Sequence, residues 1–180
     1  MESSPLSWDE FLASSKELLC ISQRLNDGWN WSDTQDGWGY LHKTELKSSS
    51  GNESADDVTA EQPGKTILVW EYHILYSPAY SCPVLYFNVR DQDGKFIGLD
   101  STIGQLRFPA KTGRNYLSVV SQSEHPILRK PFCYLHPCHT SDLIIAAEKG
   151  RTNLLIGWLS CVAPIVRLEL SLEYAKPNET

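Results

Sequence analysis

The run Pro131–Thr140, Pro-Phe-Cys-Tyr-Leu-His-Pro-Cys-His-Thr, gathers Cys133, His136, Cys138 and His139 into one short stretch. These residue types admit four chemistries. Thiolates and imidazoles are zinc ligands, but a tetrahedral site usually draws pairs from separated segments, and side chains along an extended run alternate between faces. Cys138 paired with a histidine such as His73 or His125 would make a cysteine hydrolase, although no local nucleophile signature surrounds it. A cysteine is also simply a small apolar residue, a reading that suits Cys20, Cys82 and Cys161 among their apolar neighbours. The fourth chemistry is a thioester carrier. It needs an exposed nucleophilic thiol and no triad, because a thiol is already a few per cent thiolate near neutrality.

The surroundings of Cys138 decide what its thiol can meet. Phe132, Tyr134 and Leu135 predict a short buried strand, with Cys133 pointing into the core opposite Tyr134. Pro137 has no N–H to donate, so the strand ends there and Cys138 falls on a constrained turn, held by the scaffold and open to a partner. Downstream, Thr140, Ser141 and Asp142 are N-cap candidates for a helix through Lys149, which Gly150 ends.

The elements that must position this turn follow from the patterning. Ser7 and Glu10 form a capping-box pair opening an amphipathic helix whose stripe holds Trp8, Phe11, Leu12, Leu18, Leu19 and Leu25. Asn26, Asp27 and Gly28 end that helix. Trp29, Trp31, Trp38 and Tyr40 flank a hairpin turn at Ser32–Gly37, and Gly39–Lys47 alternates like a half-buried strand. Thr66–Tyr76 and Pro83–Arg90 are strong strands joined through Pro78, and Asp91–Gly94 is a turn into a short return strand over Lys95–Leu99. Asp100 or Ser101 would cap a short helix through Leu106. Tyr116, Leu117, Val119 and Val120 suggest a helical piece packed on the sheet. Thr152 would cap a helix with Leu155, Trp158, Leu159 and Val162 on its apolar face, stopped or kinked by Pro164. Val166–Leu172 alternates as a last strand or an extended tail. The order describes one α+β domain over residues 1–180, an antiparallel meander with helices gathered on one side. The polar, acidic stretch 48–64 reads as a mobile loop.

Bulk properties exclude several functions. A net charge of −6 over 180 residues argues against nucleic acid or an anionic membrane as partner. The longest apolar stretch, Leu154–Val166, is too short to span a bilayer and contains Pro164. Residues 1–15 have neither a basic n-region nor an apolar h-region, and the five cysteines are odd in number. Together these predict a cytoplasmic chain with reduced thiols, and nothing in the sequence asks for a cofactor or a metal.

Several motifs then fall in a meaningful order. They are Asp27–Trp31, Glu71-Tyr72-His73-Ile74-Leu75-Tyr76-Ser77, Pro83-Val84-Leu85-Tyr86-Phe87, Glu124-His125-Pro126-Ile127-Leu128, Leu135-His136-Pro137-Cys138-His139-Thr140, Gly157-Trp158-Leu159-Ser160 and Leu172-Glu173-Tyr174-Ala175-Lys176. This series resembles the autophagy-related protein ten family, over most of the chain outside 48–64. The resemblance implies a variant ubiquitin-conjugating-enzyme fold, a curved antiparallel sheet with fewer helices than ordinary members. It implies an E2-like enzyme with Cys138 as the thioester cysteine. Such an enzyme receives the ubiquitin-like modifier autophagy-related protein twelve from the activating enzyme, autophagy-related protein seven, and joins it to a lysine of autophagy-related protein five.

Ordinary ubiquitin-conjugating enzymes carry a His-Pro-Asn motif before their cysteine, whereas here His136-Pro137 runs directly into Cys138. The oxyanion donor is therefore unassigned, and backbone N–H groups following Cys138 are suited to the task. His136 and His139 flank the thiol, either assisting by charge or proton acceptance or serving only as surface residues. Tyr72 or Tyr76 on the long strand is a further candidate to reach the turn, or a core residue. A non-catalytic scaffold on the same fold is the competing class beside the hydrolase.

Overall fold

The computed structural model describes residues 6–49, 66–108, 119–137 and 153–176. Helix α1 spans Trp8–Leu25 and begins as its sequence predicts. The Ser7 hydroxyl accepts the Glu10 N–H while the Glu10 carboxylate accepts the Ser7 N–H at 2.8 Å, and Asn26 closes the helix in the left-handed region at φ 53°. Phe11, Leu18 and Ile21 are its buried stripe.

Strands β1 (Asn30–Asp33), β2 (Gly39–Ser48), β3 (Ile67–Ser77), β4 (Cys82–Arg90), β5 (Val120–Glu124) and β6 (Pro131–Leu135) form one antiparallel sheet in the order β1-β2-β3-β4-β6-β5. Gly39 is required where β2 begins. A Cβ there would lie 2.3 Å from Cζ2 of the Trp31 indole, which packs directly on the glycine.

The period-two rule assigns every sheet residue to a face. Leu41, Trp70, Tyr72, Ile74, Leu85, Phe87, Val89, Cys133, Leu135 and Val120 share the face covered by α1 and by α3 (Leu154–Val162). Asn153 caps α3 by accepting the Ile156 N–H at 2.9 Å. Its amide donates to the Ser14 carbonyl at 3.1 Å and the Glu17 carboxylate at 2.8 Å, which ties α3 to α1. The opposite face carries Tyr40, His42, Glu71, His73, Leu75, Tyr86, Asn88, Phe132 and Tyr134.

The sequence reading needs correction at several elements. Val120 begins strand β5 rather than lying in a helix, because pairing along Leu135 to Pro131 satisfies its backbone and buries its β-branched side chain. Lys95–Leu99 forms only an isolated bridge, Phe96 to Arg90, before Gly98 turns the chain away. Helix α2 (Leu99–Gly104) takes Gly98 as its N-cap, without a side-chain cap from Asp100 or Ser101. Pro164 lies in the first turn of a 3₁₀ helix over Ala163–Val166, and Arg167, at φ 58°, ends it; 168–171 has no regular secondary structure and is not a strand. Cys20 and Cys161 are exposed on their helices, not packed among apolar neighbours. Ser48, the start of the predicted loop 48–64, is instead the last residue of β2, paired with Ile67. The rest of that loop from 50, the helical piece at Tyr116 and Leu117, the helix through Lys149 and its cap at Thr140, Ser141 or Asp142, and the cap at Thr152 lie outside the described residues.

Candidate active site

Strand β6 (Pro131–Leu135) leads directly to His136 and Pro137. It is held on one side by two register pairs with β4, Tyr86 with Tyr134 and Phe87 with Cys133, and on the other by the full length of β5. Beyond the strand, the His136 N–H donates to the Val119 carbonyl at 2.8 Å, and the buried Pro137 then ends the pairing as its missing N–H requires. The His136 ring lies 6.1 Å from that of Tyr134 and 6.3 Å from that of Tyr80, in the turn between β3 and β4. His136 and Pro137 therefore leave the sheet at the end where Tyr80 and Pro83 lie. Cys138 and His139 themselves lie outside the described residues.

The other thiols divide by environment. Cys133 is buried beside Phe87, and burial pushes its thiol up to about 11. Cys82 is likewise buried and likewise raised to about 11. Both are therefore neutral and unreactive near pH 7. Cys133 and His136 face opposite sides of the strand, so these two candidate ligands do not converge on one ion.

The two tyrosines considered as helpers are both engaged elsewhere. Tyr72 is wholly buried on the helix-covered face, donates its hydroxyl to the Val166 carbonyl at 2.8 Å, and has its ionisation pushed far upward, first by burial and then by Glu45. Tyr76 donates to the Leu6 carbonyl at 2.8 Å and packs against Trp8, Phe11 and Trp38. Both pin helix-side segments to β3.

The two histidines weighed as hydrolase bases come together, but with each other. His73 Nδ1 lies 3.0 Å from His125 Nε2, His73 Nε2 lies 3.2 Å from Glu71, and the other Glu71 oxygen accepts from Arg90 at 2.7 Å. His125 Nδ1 accepts the backbone N–H groups of Ile127 at 3.2 Å and Leu128 at 3.1 Å. All four ring nitrogens are thus taken, and neither imidazole has one left to activate a nucleophile. This buried pair was not visible as a pair in the sequence. The only sign was that His73 interrupts an apolar strand and His125 precedes a proline.

A single six-stranded antiparallel sheet with α1 and α3 packed on one face is a variant ubiquitin-conjugating fold of the α+β class. The family described as "Autophagocytosis associated protein, active-site domain" matches residues 10–173. A human relative named ubiquitin-like-conjugating enzyme ATG10 is 30% identical across 93% of this chain and 94% of its own length. An Arabidopsis thaliana relative of the same name is 27% identical across 81% of this chain and 82% of its own, and one from Gibberella zeae is 31% identical across 83% and 66%. The chain belongs to this ATG10 family of E2-like conjugating enzymes.

Proposed function

We propose that Cys138 carries a ubiquitin-like modifier, autophagy-related protein twelve, as a thioester. The modifier would come from the activating enzyme autophagy-related protein seven and pass to a lysine of autophagy-related protein five. In the first step the Cys138 thiolate attacks the carbonyl of the activating enzyme's thioester. A new S–C bond forms at Cys138, and the activating enzyme's cysteine leaves as thiolate. In the second step the acceptor amine attacks the same carbonyl. An isopeptide bond forms, the Cys138 thiolate leaves, and the amine's proton passes to a base, for which His136 and His139 are the neighbours in sequence.

The observation that carries this reading is the placement of His136-Pro137 at the end of β6, with Cys138 next in the chain, in a family defined by its active-site domain. The burial of Cys82 and Cys133 supports it, since neither competes as a carrier. Cytoplasmic conjugation accords with a chain in which, among the described residues, no helix is long and apolar enough to cross a membrane.

The test mixes protein, activating enzyme, modifier and ATP, followed by a non-reducing gel. Wild type is expected to give a thiol-sensitive adduct, Cys138→Ser a thiol-resistant ester, and Cys138→Ala neither adduct nor conjugate while keeping its fold. A Cys138→Ala protein that still forms conjugate overturns the assignment. A wild type that takes no modifier from an active enzyme turns the reading towards a scaffold.

A further inference from the structure

The β5–β6 hairpin is joined to the sheet by a short seam: among the described residues β6 meets β4 at two register pairs and β5 pairs with β6 alone. On the second face it has an additional fixture. The turn after β5 folds back, with the His125 N–H donating to the Lys130 carbonyl at 2.7 Å and Arg129 held at φ 55°. This drives His125, with no exposed surface, among the rings of Tyr40, His73, Tyr86 and Phe132, at centroid distances of 5.6, 5.0, 5.2 and 4.8 Å. Next to it, the Asn88 amide donates to the Pro131 carbonyl at 3.1 Å.

The hydrogen bonds of this peg are compatible with one proton arrangement. His125 Nδ1 receives two N–H groups and so carries no proton, which puts the hydrogen on Nε2, donating to His73 Nδ1. His73 must then carry its own hydrogen on Nε2, donating to Glu71. A proton added to His125 lands on Nδ1, against the Ile127 and Leu128 N–H groups. A proton added to His73 lands on its Nδ1, head-on to the His125 N–H. Either addition costs the turn its bonds.

We propose that the His125 turn is a proton-released latch, which seats β6, the strand that precedes Cys138 in the chain, only while His73 and His125 are both neutral. The coupling to Cys138 rests on the thioester reading above, whereas the latch itself does not. His125 is the positioning residue, acting through β6.

The charged and titratable groups around the pair decide the direction of the effect. Burial pushes His125 down to about 4, with His73 adding to the shift and Glu71 opposing it. His42, whose ring is 6.1 Å from His73, is also lowered, by burial first and His73 next. Glu71 favours a cation here but is already bonded to Arg90. Tyr40, Tyr86 and Tyr134 contribute aromatic walls, and burial raises Tyr86. On the turn itself the Glu124–Arg129 pair, at 3.0 Å, and Lys130 are exposed.

The test is amide hydrogen exchange at Ile127 and Leu128 from pH 7.5 to 5, corrected for intrinsic rates, in wild type and His125→Asn. The asparagine oxygen can take the same two N–H groups but does not titrate. Wild-type protection is expected to fall about tenfold or more across this range, while the variant stays flat. Flat wild-type protection, or an equal fall in both proteins, overturns the latch. Imidazole ¹⁵N shifts of the wild type alone give a second check. A hydrogen on Nδ1 of either ring at pH 7.5 also overturns it, even where the variant does not fold.

The coupling is read from discharge of loaded Cys138 onto lysine, as the ratio of wild-type to His125→Asn rates, which cancels the intrinsic pH dependence of the amine. That ratio is expected to fall about twofold between pH 7.5 and 4, where half of His125 carries the added proton. A constant ratio overturns the positioning role. A protein that cannot be loaded at all, but shows the expected exchange, removes the thioester reading and leaves the latch standing.

Discussion

The two faces of the sheet are closed by different chemistry. On the helix-covered face one buried polar cluster is held by fixed charges and hydroxyls. Asp27 accepts from Ser22 at 2.5 Å and Tyr174 at 2.7 Å, and Lys43 lies 3.9 Å from Asp27 and 2.9 Å from Glu45, with its ammonium 5.8 Å from the centre of the Trp29 ring. Burial, followed by the hydrogen bond to Asp27, pushes the Tyr174 hydroxyl far above neutrality. On the second face the corresponding chain, Arg90–Glu71–His73–His125, runs through two neutral imidazoles. One face is thus shut at any ordinary pH, and the other is shut on condition. The β5–β6 hairpin has residues on both, Val120 and Cys133 on the helix-covered face and Phe132 and Tyr134 on the other.

The comparison is tested most severely by removing apolar mass from the permanent face. Phe87, fully buried against Trp70 at a centroid distance of 6.2 Å, should cost about 3–5 kcal/mol as Phe87→Ala in urea unfolding, by an amount that is the same at pH 8 and pH 6. Asp27→Ala follows, at about 3 kcal/mol, because it leaves Lys43, only 5% exposed, with Glu45 alone and strips the Tyr174 and Ser22 hydroxyls of their acceptor. A cost that grows between pH 8 and pH 6 would mean that the helix-covered face is also proton-linked, and the contrast would fail.

Acid stability is the next effect in size. A histidine lowered in the folded state binds its proton more readily when unfolded. Its contribution is therefore intact above about 6.5 and lost as pH falls towards about 4, the value for His125. Linkage gives a loss of about 2–3 kcal/mol over that window for wild type, absent from His125→Asn. Glu71, lowered mainly by its bond to His73, adds a loss only below the ordinary carboxylate range. A wild type whose unfolding midpoint is unchanged from pH 7 to 5 would contradict this account.

Much of this architecture was legible because local and tertiary signals agree. The Ser7–Glu10 cap, the Asn26 stop, and the apolar strands Ile67–Ser77 and Cys82–Arg90 need no distant partner to be recognised. Strand β5 was hidden because Val120–Glu124, Val-Ser-Gln-Ser-Glu, is polar at every position after Val120 and becomes a strand only by pairing with β6. The role of Tyr72 was hidden because a tyrosine on a strand gives no sign of which face it takes until the register fixes it among Phe87, Lys43 and Cys133. The His73–His125 pair is separated by 52 positions and exists only through the fold-back of the turn.

The smallest prediction sharpens the contrast by timing. Ser7→Ala removes the acceptor for the Glu10 N–H and one donor to its carboxylate, at a cost of about 1 kcal/mol near neutrality. Glu10 is lowered chiefly by the Ser7 N–H and next by its hydroxyl, so the cap's contribution persists above the ordinary carboxylate value and is lost only as pH falls below it. The difference between wild type and Ser7→Ala should therefore stay constant from pH 8 to pH 5 and shrink below about 4. The second face begins to loosen near 6.5, so acid should release the β5–β6 hairpin before it frays α1. Hydrogen exchange followed on both segments across one titration reads that order directly, and fraying of α1 ahead of the Ile127 and Leu128 amides would reverse it.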